Sequence, residues 1–270
     1  MRHGLVFLSL VVAAGMAHAD QELPIFDAHM HYSHDAWTVV PPKEVVEILK
    51  KAGVKRAMVS SSNNEGTKML QDAAPGVIVP ELRPYRSRGE LGTWAKDPTV
   101  LPFLEDLLGK RKYVAIGEFH IYGADADLPN MRGVVQLAKK YGLFLHSHSD
   151  ADAVSRHFQQ DPGAKVLWAH SGFERPEKVR EMLRRYPTLY CDLAFLTSHA
   201  SNGKVAPGWR EAFLEFPDRF MVGTDTFTPE RWHYVIEHAR WSRQWLADLP
   251  PEVARKIAYE NGDRLFGGAQ

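Results

Sequence analysis

The feature that most constrains the fold is a regular alternation of short apolar runs with stretches of helical periodicity. Between the runs, apolar residues recur at spacings of three and four, the periodicity of an amphipathic helix. Examples are Val45, Ile48, Leu49 and Ala52, then Met131, Val134, Val135 and Ala138, and then Val179, Met182, Leu183 and Tyr186. The eight apolar runs are Pro24–Asp27, Lys55–Ser60, Val77–Leu82, Tyr113–Gly117, Leu143–Leu145, Val166–Ala169, Leu189–Leu193 and Phe220–Gly223.

A chain that alternates strands with helices predicts parallel strands, because a parallel pair needs a crossover connection. The runs are apolar along nearly their whole length, as expected when helices cover one face and a barrel interior covers the other. Eight such units within about 200 residues predict a closed (β/α)8 TIM barrel in a single domain. An open doubly wound sheet is the alternative. No Gly-x-Gly-x-x-Gly follows the first run, which removes the usual dinucleotide-binding reason for that alternative.

The first part of the chain has the pattern of a secretory signal peptide. Arg2 precedes an apolar run from Leu5 to Met16, and the tripeptide Ala17-His18-Ala19 follows. The run is too short to cross a bilayer as a permanent helix, so we expect residues 1–19 to be cleaved and residues 20–270 to form the barrel domain. An uncleaved membrane anchor is the alternative. We therefore expect a secreted protein, periplasmic if the source is Gram-negative.

The charge balance bears on the partners. The chain carries 33 Lys and Arg residues and 33 Asp and Glu residues, which gives no electrostatic reason to expect a nucleic acid or an anionic membrane. We expect a small-molecule substrate, no nucleic acid and, after signal cleavage, no membrane; an oligomer is compatible with the sequence. The one cysteine, Cys191, lies in an apolar run and is interpreted as a small buried residue.

The first strand leads into His29-Met30-His31. Residues two apart on a strand point the same way and lie about 6.7 Å apart along it. Both imidazoles can therefore approach one metal ion, and zinc accepts histidine nitrogen and carboxylate oxygen. Alone, a His-x-His pair is a weak signal, because solvent-facing pairs of this kind are common.

Metal-ligand side chains also follow four other strands. The carboxyl ends of barrel strands converge on one mouth, where active sites form. Five strands that each bring a ligand type to this mouth predict a metal-dependent active site. Other histidines, at 34, 157, 199, 233 and 238, fall in predicted helices or loops and are interpreted as structural or surface residues. The four further groups are Gly117-Glu118-Phe119-His120, His146-Ser147-His148, His170-Ser171-Gly172 and Gly223-Thr224-Asp225-Thr226.

Taken together, these motifs resemble the amidohydrolase superfamily, and most closely its amidohydrolase-related branch. The similarity spans most of residues 24–266, and its motifs are specific as a set. The matching segments are Phe26-Asp27-Ala28-His29-Met30-His31, the histidines after the fifth and sixth strands, Gly223-Thr224-Asp225, and the closing segment from Ile257 to Phe266.

The resemblance implies a set of metal ligands and two catalytic roles. Asp225 would touch metal and take a proton from the attacking water, and His170 would be a ligand or a catalytic residue. His148 points the same way as His146 and is either the alternative ligand or a substrate contact. The implied metal ligands are His29, His31, Glu118, His146, His170 and Asp225.

Glu118 bears on the number of metal ions. Many superfamily members have a carboxylated lysine or a glutamate after the fourth strand that bridges two metals, and Gly117-Glu118 also resembles the TatD-type branch. A bridging Glu118 means two ions, whereas a Glu118 that only orients a ligand means one. We expect a divalent cation, zinc, and favour two ions.

The predicted activity is hydrolysis of an amide, a lactone or another ester. A zinc-type cation lowers the pKa of bound water from about 15.7 toward 7, and Asp225 can pass the proton of that water to the leaving group. Arg83, just after the third strand, is the best candidate to hold a substrate carboxylate or phosphate through paired hydrogen bonds. Further candidate substrate contacts are His120, Tyr122 and His148, and Asn63, Asn64 and Asp192 also face the predicted mouth.

Three other functions stay open at this level. Some amidohydrolase-related proteins are metal-dependent decarboxylases of aromatic or enoic acids, usually with one metal; the position of Glu118 and the expected export weigh against this. A barrel that only binds or buffers metal in the periplasm is a non-enzymatic alternative, against which the full ligand set with Asp225 weighs. A TatD-like nuclease has little electrostatic support from a neutral chain.

Overall fold

The computed structural model describes residues 22–268. The expected signal peptide at residues 1–19 lies outside the described residues. Within the described range, none of the helices combines the length and the apolar character needed to cross a membrane.

Eight strands form one sheet in the order in which they follow along the chain, and every neighbouring pair is parallel. A two-stranded antiparallel hairpin interrupts the series before the last barrel strand. The barrel strands are β1 (Ile25–His31), β2 (Val54–Ser60), β3 (Ile78–Leu82), β4 (Ala115–His120), β5 (Phe144–His148), β6 (Lys165–Trp168), β7 (Leu189–Asp192) and β10 (Phe220–Met221), and the hairpin is β8 (Ala200–Ser201) with β9 (Lys204–Val205).

The sheet closes between its first and last strands. The backbone N–H of Ala28 donates to the carbonyl oxygen of Val222 at 2.9 Å, and that of Asp225 donates to the carbonyl oxygen of His29 at 2.7 Å. The buried carboxylate of Asp27 reinforces this seam, because its Oδ1 accepts the N–H of Thr224 at 3.1 Å. The predicted (β/α)8 TIM barrel is confirmed.

Helices surround the barrel and bury their predicted apolar faces against it. Pro229 begins the eighth helix, and proline suits a first turn because its missing N–H would have no partner there. The helices are α1 (Pro42–Lys51), α2 (Glu65–Ala73), α3 (Val100–Lys110), α4 (Pro129–Tyr141), α5 (Ala151–Gln160), α6 (Pro176–Arg185), α7 (Pro207–Glu215), α8 (Pro229–Leu246), α9 (Pro251–Arg255) and α10 (Asn261–Phe266), with a π-helical turn (Lys256–Glu260) between the last two.

The two ends of the barrel differ in chemistry. At the amino end, Phe266 of α10 packs on Phe26 and Phe144 with ring centroids 6.0 and 4.8 Å apart. Gly262 allows this approach, since a Cβ there would lie 2.3 Å from the Phe26 ring. The carboxyl end holds buried histidines and carboxylates instead. The core therefore closes one end of the barrel and leaves the polar end as the candidate functional face.

Two irregularities in the strands lie at the polar end. Between Asp27 and Met30, β1 advances three residues while β2 advances two. Between Gly117 and Phe119, β4 advances two residues while β5 advances one. Such bulges re-aim side chains and recur beside active sites. Here they fall at His29 and Glu118, two of the predicted ligands.

Candidate metal centre at the barrel mouth

His29 and His31 on β1 face each other at the carboxyl end of the barrel. Their Nε2 atoms lie 3.2 Å apart, and both side chains are buried. The Nδ1 of His29 donates to the Oδ2 of Asp192 at 3.2 Å, and the Nδ1 of His31 lies 2.9 Å from the hydroxyl oxygen of Ser60. An imidazole with its proton on Nδ1 has its lone pair on Nε2. Once His29 has given up its Nε2 proton, as metal binding would require, it directs a lone pair into the space beside His31.

Asp225 and Glu118 bring carboxylate oxygens to the same space. The Oδ1 of Asp225 lies 3.4 Å from the Nε2 of His31 and 3.8 Å from the Nε2 of His29. The Oε2 of Glu118 lies 3.2 Å from His31 Nε2, and its Oε1 lies 3.6 Å from His29 Nε2. Four ligands around a tetrahedral zinc ion lie about 3.3 Å from one another. The separations between these donors fit a cation of that size.

His170 adds a third imidazole beside Glu118. Its Nδ1 donates to the carbonyl oxygen of Ala194 at 2.7 Å, so its Nε2 lone pair is free, 3.5 Å from the Oε1 of Glu118. Two groups of possible ligands share His29: one is His29, His31 and Asp225, and the other is His29, Glu118 and His170. Both His170 and Asp225 have left-handed backbone angles, with φ of 55° and 54°. Such strain persists where the surroundings over-determine the conformation, often at functional sites.

His146 lies deeper in the barrel than His148, the other histidine of β5. Its Nδ1 lies 2.8 Å from the Oε1 of Glu81, and its Nε2 lies 3.0 Å from the Oδ2 of Asp192. Burial lowers the pKa of His146, but the charge of Glu81 and hydrogen bonds to both carboxylates outweigh burial and raise the pKa to about 9. Both nitrogens are therefore protonated here, and metal binding by His146 would release a proton. With His29 and Asp192 it forms a third group of possible ligands, and its ligand role stays a prediction.

His148 lies nearer the mouth and contacts Glu118 directly. Its Nδ1 is 2.8 Å from the Oε1 of Glu118, and its ring stacks on His120 with centroids 4.1 Å apart. Glu118, His120 and His148 make a further group of possible ligands. The carboxylate of Glu118 therefore lies between the His29–His31 pair and the His148 side of the site.

Arg83 directs its guanidinium at Glu118. One terminal N–H donates to the Oε2 of Glu118 at 2.9 Å, and Nε donates to the backbone oxygen of the same residue at 3.1 Å. The predicted contact of Arg83 with a substrate anion would have to share this guanidinium with Glu118.

Tyr85 sets the position of the proton on His120. The backbone N–H of His120 donates to the Tyr85 hydroxyl oxygen at 2.6 Å, and that hydroxyl lies 3.0 Å from His120 Nδ1. Because Tyr85 is buried, its hydroxyl group needs an acceptor and donates a hydrogen bond to Nδ1 of His120. The ring proton of His120 therefore lies on Nε2. Burial lowers the pKa of His120 to about 3. His120 is therefore a neutral hydrogen-bond donor.

Burial and neighbouring charges shift the pKa values of the candidate ligands in different directions. Burial alone would lower the pKa of His29, but the charges of Asp192 and Glu118 raise it well above its ordinary value. Burial and the positive charge of Arg83 hold the pKa of His31 well below its ordinary value. Burial raises the pKa of Asp225. The metal-free site therefore holds a protonated His29 beside a neutral His31, and Asp225 is a stronger base than an ordinary carboxylate.

A cavity of about 260 Å³ opens onto this cluster, and we call it the inner cavity. Of the predicted substrate contacts, Arg83, His120 and His148 line it, whereas the half-exposed Tyr122 does not and only turns the edge of its ring to His148. The full lining is Ser33, Ser62, Arg83, Tyr85, Arg88, Leu91, Glu118, His120, His148, His170, Phe173, Phe195, Asp225 and Phe227.

Sequence reasoning missed several residues that shape the site. Glu81 lies inside an apolar run and holds His146; a charged residue within such a run was the available signal. Ser60 ends β2 beside His31. Asp192 was expected only to face the mouth, yet it accepts from His29, His146 and the backbone N–H of His170 at 3.0 Å.

The family follows from a comparison over most of the chain. A model of the Amidohydrolase family matches residues 26–268. The chain belongs to this amidohydrolase family. A search of curated proteins found no match.

Solved structures share the fold at low sequence identity. An uncharacterised TIM-barrel protein from Bordetella bronchiseptica has a TM-score of 0.62 at 14% identity, over 92% of this chain and 99% of that one. A probable 2-pyrone-4,6-dicarboxylic acid hydrolase from Acinetobacter baumannii, solved with citric acid bound, has a TM-score of 0.59 at 11% identity over 90% and 99%. An organophosphorus hydrolase from Deinococcus radiodurans has a TM-score of 0.55 at 12% identity over 91% and 93%.

Proposed function

We propose that this amidohydrolase is a metal-dependent hydrolase that cleaves an amide, a lactone or another ester of a small molecule. The observation that carries the proposal is the convergence of His29, His31, Glu118 and Asp225 at the mouth of the barrel, where the two histidine nitrogens lie 3.2 Å apart and each lies 3.2 to 3.8 Å from a carboxylate oxygen of Glu118 and of Asp225. The family and the hydrolases among the structural neighbours agree with it.

The chemistry of the donors fits a divalent cation of borderline softness, and we propose zinc. Histidine nitrogens and carboxylate oxygens are its usual ligands, and Asp192 and Ala194 O hold His29 and His170 with their lone pairs inward. When bound, zinc makes hydroxide available near neutral pH and polarises a carbonyl oxygen. We propose two ions with Glu118 between them, because its two oxygens face different imidazoles.

Asp225 supplies the proton transfers in this proposal. The oxygen of water adds to the substrate carbonyl carbon while Asp225 takes the proton of that water. The bond from carbon to the leaving nitrogen or oxygen then breaks, and Asp225 returns the proton to the leaving atom. The raised pKa of Asp225 suits both steps, since proton transfer is most effective when the pKa of the catalytic group lies nearer the working pH.

His120 positions the substrate, whereas the arginines of the inner cavity are already paired. The Nε2–H of His120 can donate to a substrate oxygen without carrying charge. Arg83 and Arg88 line the inner cavity, but Glu118 and Asp35 already accept from them. Free positive charge is therefore scarce here, and we propose an uncharged substrate carbonyl.

The test is turnover of a panel of lactones, aryl esters and amides by zinc-loaded protein. Asp225→Asn should lower kcat by about 100-fold or more while the protein stays folded by circular dichroism. Asp72→Asn, at an exposed ion pair on α2, is the matched control and should keep full activity. A fully active Asp225→Asn would refute the role. Carbon dioxide release from aromatic acids, with no hydrolysis of the panel, would favour the decarboxylase alternative.

We also propose that the protein is exported and acts outside the cytoplasm, on the pattern of residues 1–19. Amino-terminal sequencing of the protein recovered from a periplasmic extract should begin at Asp20.

A further inference from the structure

A second and larger cavity adjoins the inner cavity. It has a volume of about 900 Å³, and we call it the outer cavity. It lies between the loops after β6 and β7, the β8–β9 hairpin and α8, and it shares the side chains of Phe173 and Phe195 with the inner cavity. Its lining is Phe173, Phe195, Leu196, Thr197, Ser198, Ala200, Ser201, Asn202, Arg231, Tyr234, His238 and Trp241.

The shared wall consists of two exposed phenyl rings that contact the metal centre. Phe173 stacks on His170 with ring centroids 4.7 Å apart, and Phe195 lies 6.5 Å from Phe173 and from His170. The two residues are 51% and 47% exposed. Two neighbouring phenyl rings that are exposed to water are unfavourable, and a ligand that covers them would gain the free energy of burying their apolar surface. A molecule that reaches from one cavity into the other would cover both.

The lining of the outer cavity is mostly aromatic and uncharged. Arg231 is the charged residue in it, and the protein engages its guanidinium, which donates to the backbone oxygens of Thr224, at 2.6 Å, and of Asp225 and lies over the rings of Phe195 and Phe227, 4.9 and 5.3 Å from their centroids. Burial lowers the pKa of His238 to about 3, so its ring is neutral at physiological pH. Tyr234 and Trp241 add aromatic surface opposite the phenyl rings. Aromatic walls whose single charged side chain already contacts backbone oxygens and phenyl rings favour an uncharged aromatic group.

We propose that the outer cavity binds an uncharged aromatic group of the substrate while the scissile carbonyl lies in the inner cavity. The proposal rests on the hydrolase function proposed above and names its substrate class: neutral aryl esters, aryl amides or aryl lactones. The inner cavity alone is smaller than the range of about 300–1,000 Å³ that ligand sites occupy, so it accommodates the reacting end and little more. For an aryl ester, water adds to the carbonyl carbon, the bond to the aryl oxygen breaks, and the products are a carboxylic acid and a phenol.

The first test measures binding and does not need turnover. Titration calorimetry of the full chain at pH 7 compares 2-naphthol, which is uncharged, with 2-naphthalenesulfonate, which is anionic. We expect 2-naphthol to bind and the sulfonate to bind at least tenfold more weakly. Absence of 2-naphthol binding, or equal binding of the two probes, would overturn the proposal.

Variants then place the probe. Tyr234→Ala should raise the Kd for 2-naphthol at least fivefold, and Ser201→Trp, which fills the outer cavity from its exposed hairpin, should do the same. Tyr141→Ala is the matched control, because Tyr141 is a partly exposed tyrosine on α4 that lines neither cavity; its Kd should equal that of the wild type. An unchanged Kd in both Tyr234→Ala and Ser201→Trp would overturn the assignment.

Kinetics separate this inference from the proposed function. With 2-naphthyl acetate and ethyl acetate as substrates, Tyr234→Ala should raise KM for the aryl ester alone and leave kcat unchanged. Hydrolysis of both esters with equal kcat/KM would sink the inference and leave the hydrolase standing. Tight binding of 2-naphthol without hydrolysis of any ester would sink the proposed function and leave the aromatic site standing.

Discussion

Replacing Asp192 with asparagine tests how the barrel directs the ligands of the candidate centre. The buried carboxylate accepts from His29 Nδ1 at 3.2 Å and His146 Nε2 at 3.0 Å, and from the N–H groups of His170 and Ala194 at 3.0 and 2.9 Å. Asparagine is nearly the same size, and its oxygen can keep the two backbone bonds. Its amide nitrogen, however, brings a donor against His29 and His146, which are donors themselves.

The expected loss of metal affinity follows from the protonation of the His29 ring. To accept from the amide, His29 must lose its Nδ1 proton and keep the proton on Nε2, which leaves no lone pair facing His31 for a metal ion. Changes to groups that orient metal ligands typically cost about 10–100-fold in metal affinity, or about 1.4–2.7 kcal/mol. The metal-free protein should also lose about 3 kcal/mol of stability, because removing one partner of a buried ion pair leaves the other uncompensated. At about 2–4 °C per kcal/mol for a chain of this size, Tm should fall by about 6–12 °C.

The assay is a competitive zinc titration against a chromophoric chelator, with thermal unfolding of the metal-free protein measured alongside. Asp263→Asn is the control: its carboxylate pairs with Arg56 near the opposite end of the barrel and is partly exposed. It should leave zinc affinity unchanged. An Asp192→Asn protein that binds zinc within twofold of the wild type would refute the reasoning about His29.

Three further results are expected. The folded-state pKa of His146 is raised to about 9, so its contribution to the stability of the metal-free protein is fully present below about pH 6.5 and is lost as pH rises toward 9; urea unfolding of His146→Gln should show a smaller decline, since only the contribution of His29 remains, and an equal decline in both proteins would contradict the assignment. Gly117→Ala should lower Tm by several degrees and weaken metal binding, since a Cβ there would lie 2.4 Å from the carbonyl oxygen of His146; normal binding in a folded Gly117→Ala would contradict this. Arg231→Gln should lower kcat about tenfold with little change in KM, because Arg231 holds the backbone oxygen of Asp225 and small displacements of a catalytic group are costly; unchanged kcat would remove Arg231 as a positioning residue.

The alternation of apolar runs was sufficient to predict the barrel, and the strand ends were sufficient to predict most of the side chains that meet at its mouth. Parallel strands leave few topologies once eight of them alternate with helices. His29, His31, Glu118, His170 and Asp225 then meet because strand ends in a barrel converge. Composition and periodicity carry this information, since both depend on burial.

The finer geometry depends on contacts that periodicity does not encode. The bulges at His29 and Glu118 shift the register by one residue, and a strict alternation of side chains cannot foresee them. Glu81 was hidden because its run otherwise has the character of a buried strand. The β8–β9 hairpin was also missed, although Asn202-Gly203, with φ of 50° and 71°, is a common two-residue hairpin turn.

The sequence also could not predict how deep in the barrel each histidine of β5 lies. His146 and His148 point the same way, so spacing alone leaves either as the ligand. Their partners in the structure differ: carboxylates on β3 and β7 hold His146, whereas His148 contacts Glu118. Such pairings join residues far apart in the chain.

Metal content per chain tests the central claim most directly. Elemental analysis of protein purified without chelators, for the wild type, Glu118→Ala and the control Glu105→Ala on the exposed face of α3, should find two ions in the wild type and the control. Glu118→Ala should then hold one or none. One ion in all three proteins would show that Glu118 does not bridge and would bring the decarboxylase alternative level with hydrolysis. No ion in the wild type, even after incubation with zinc, would contradict the metal-dependent account.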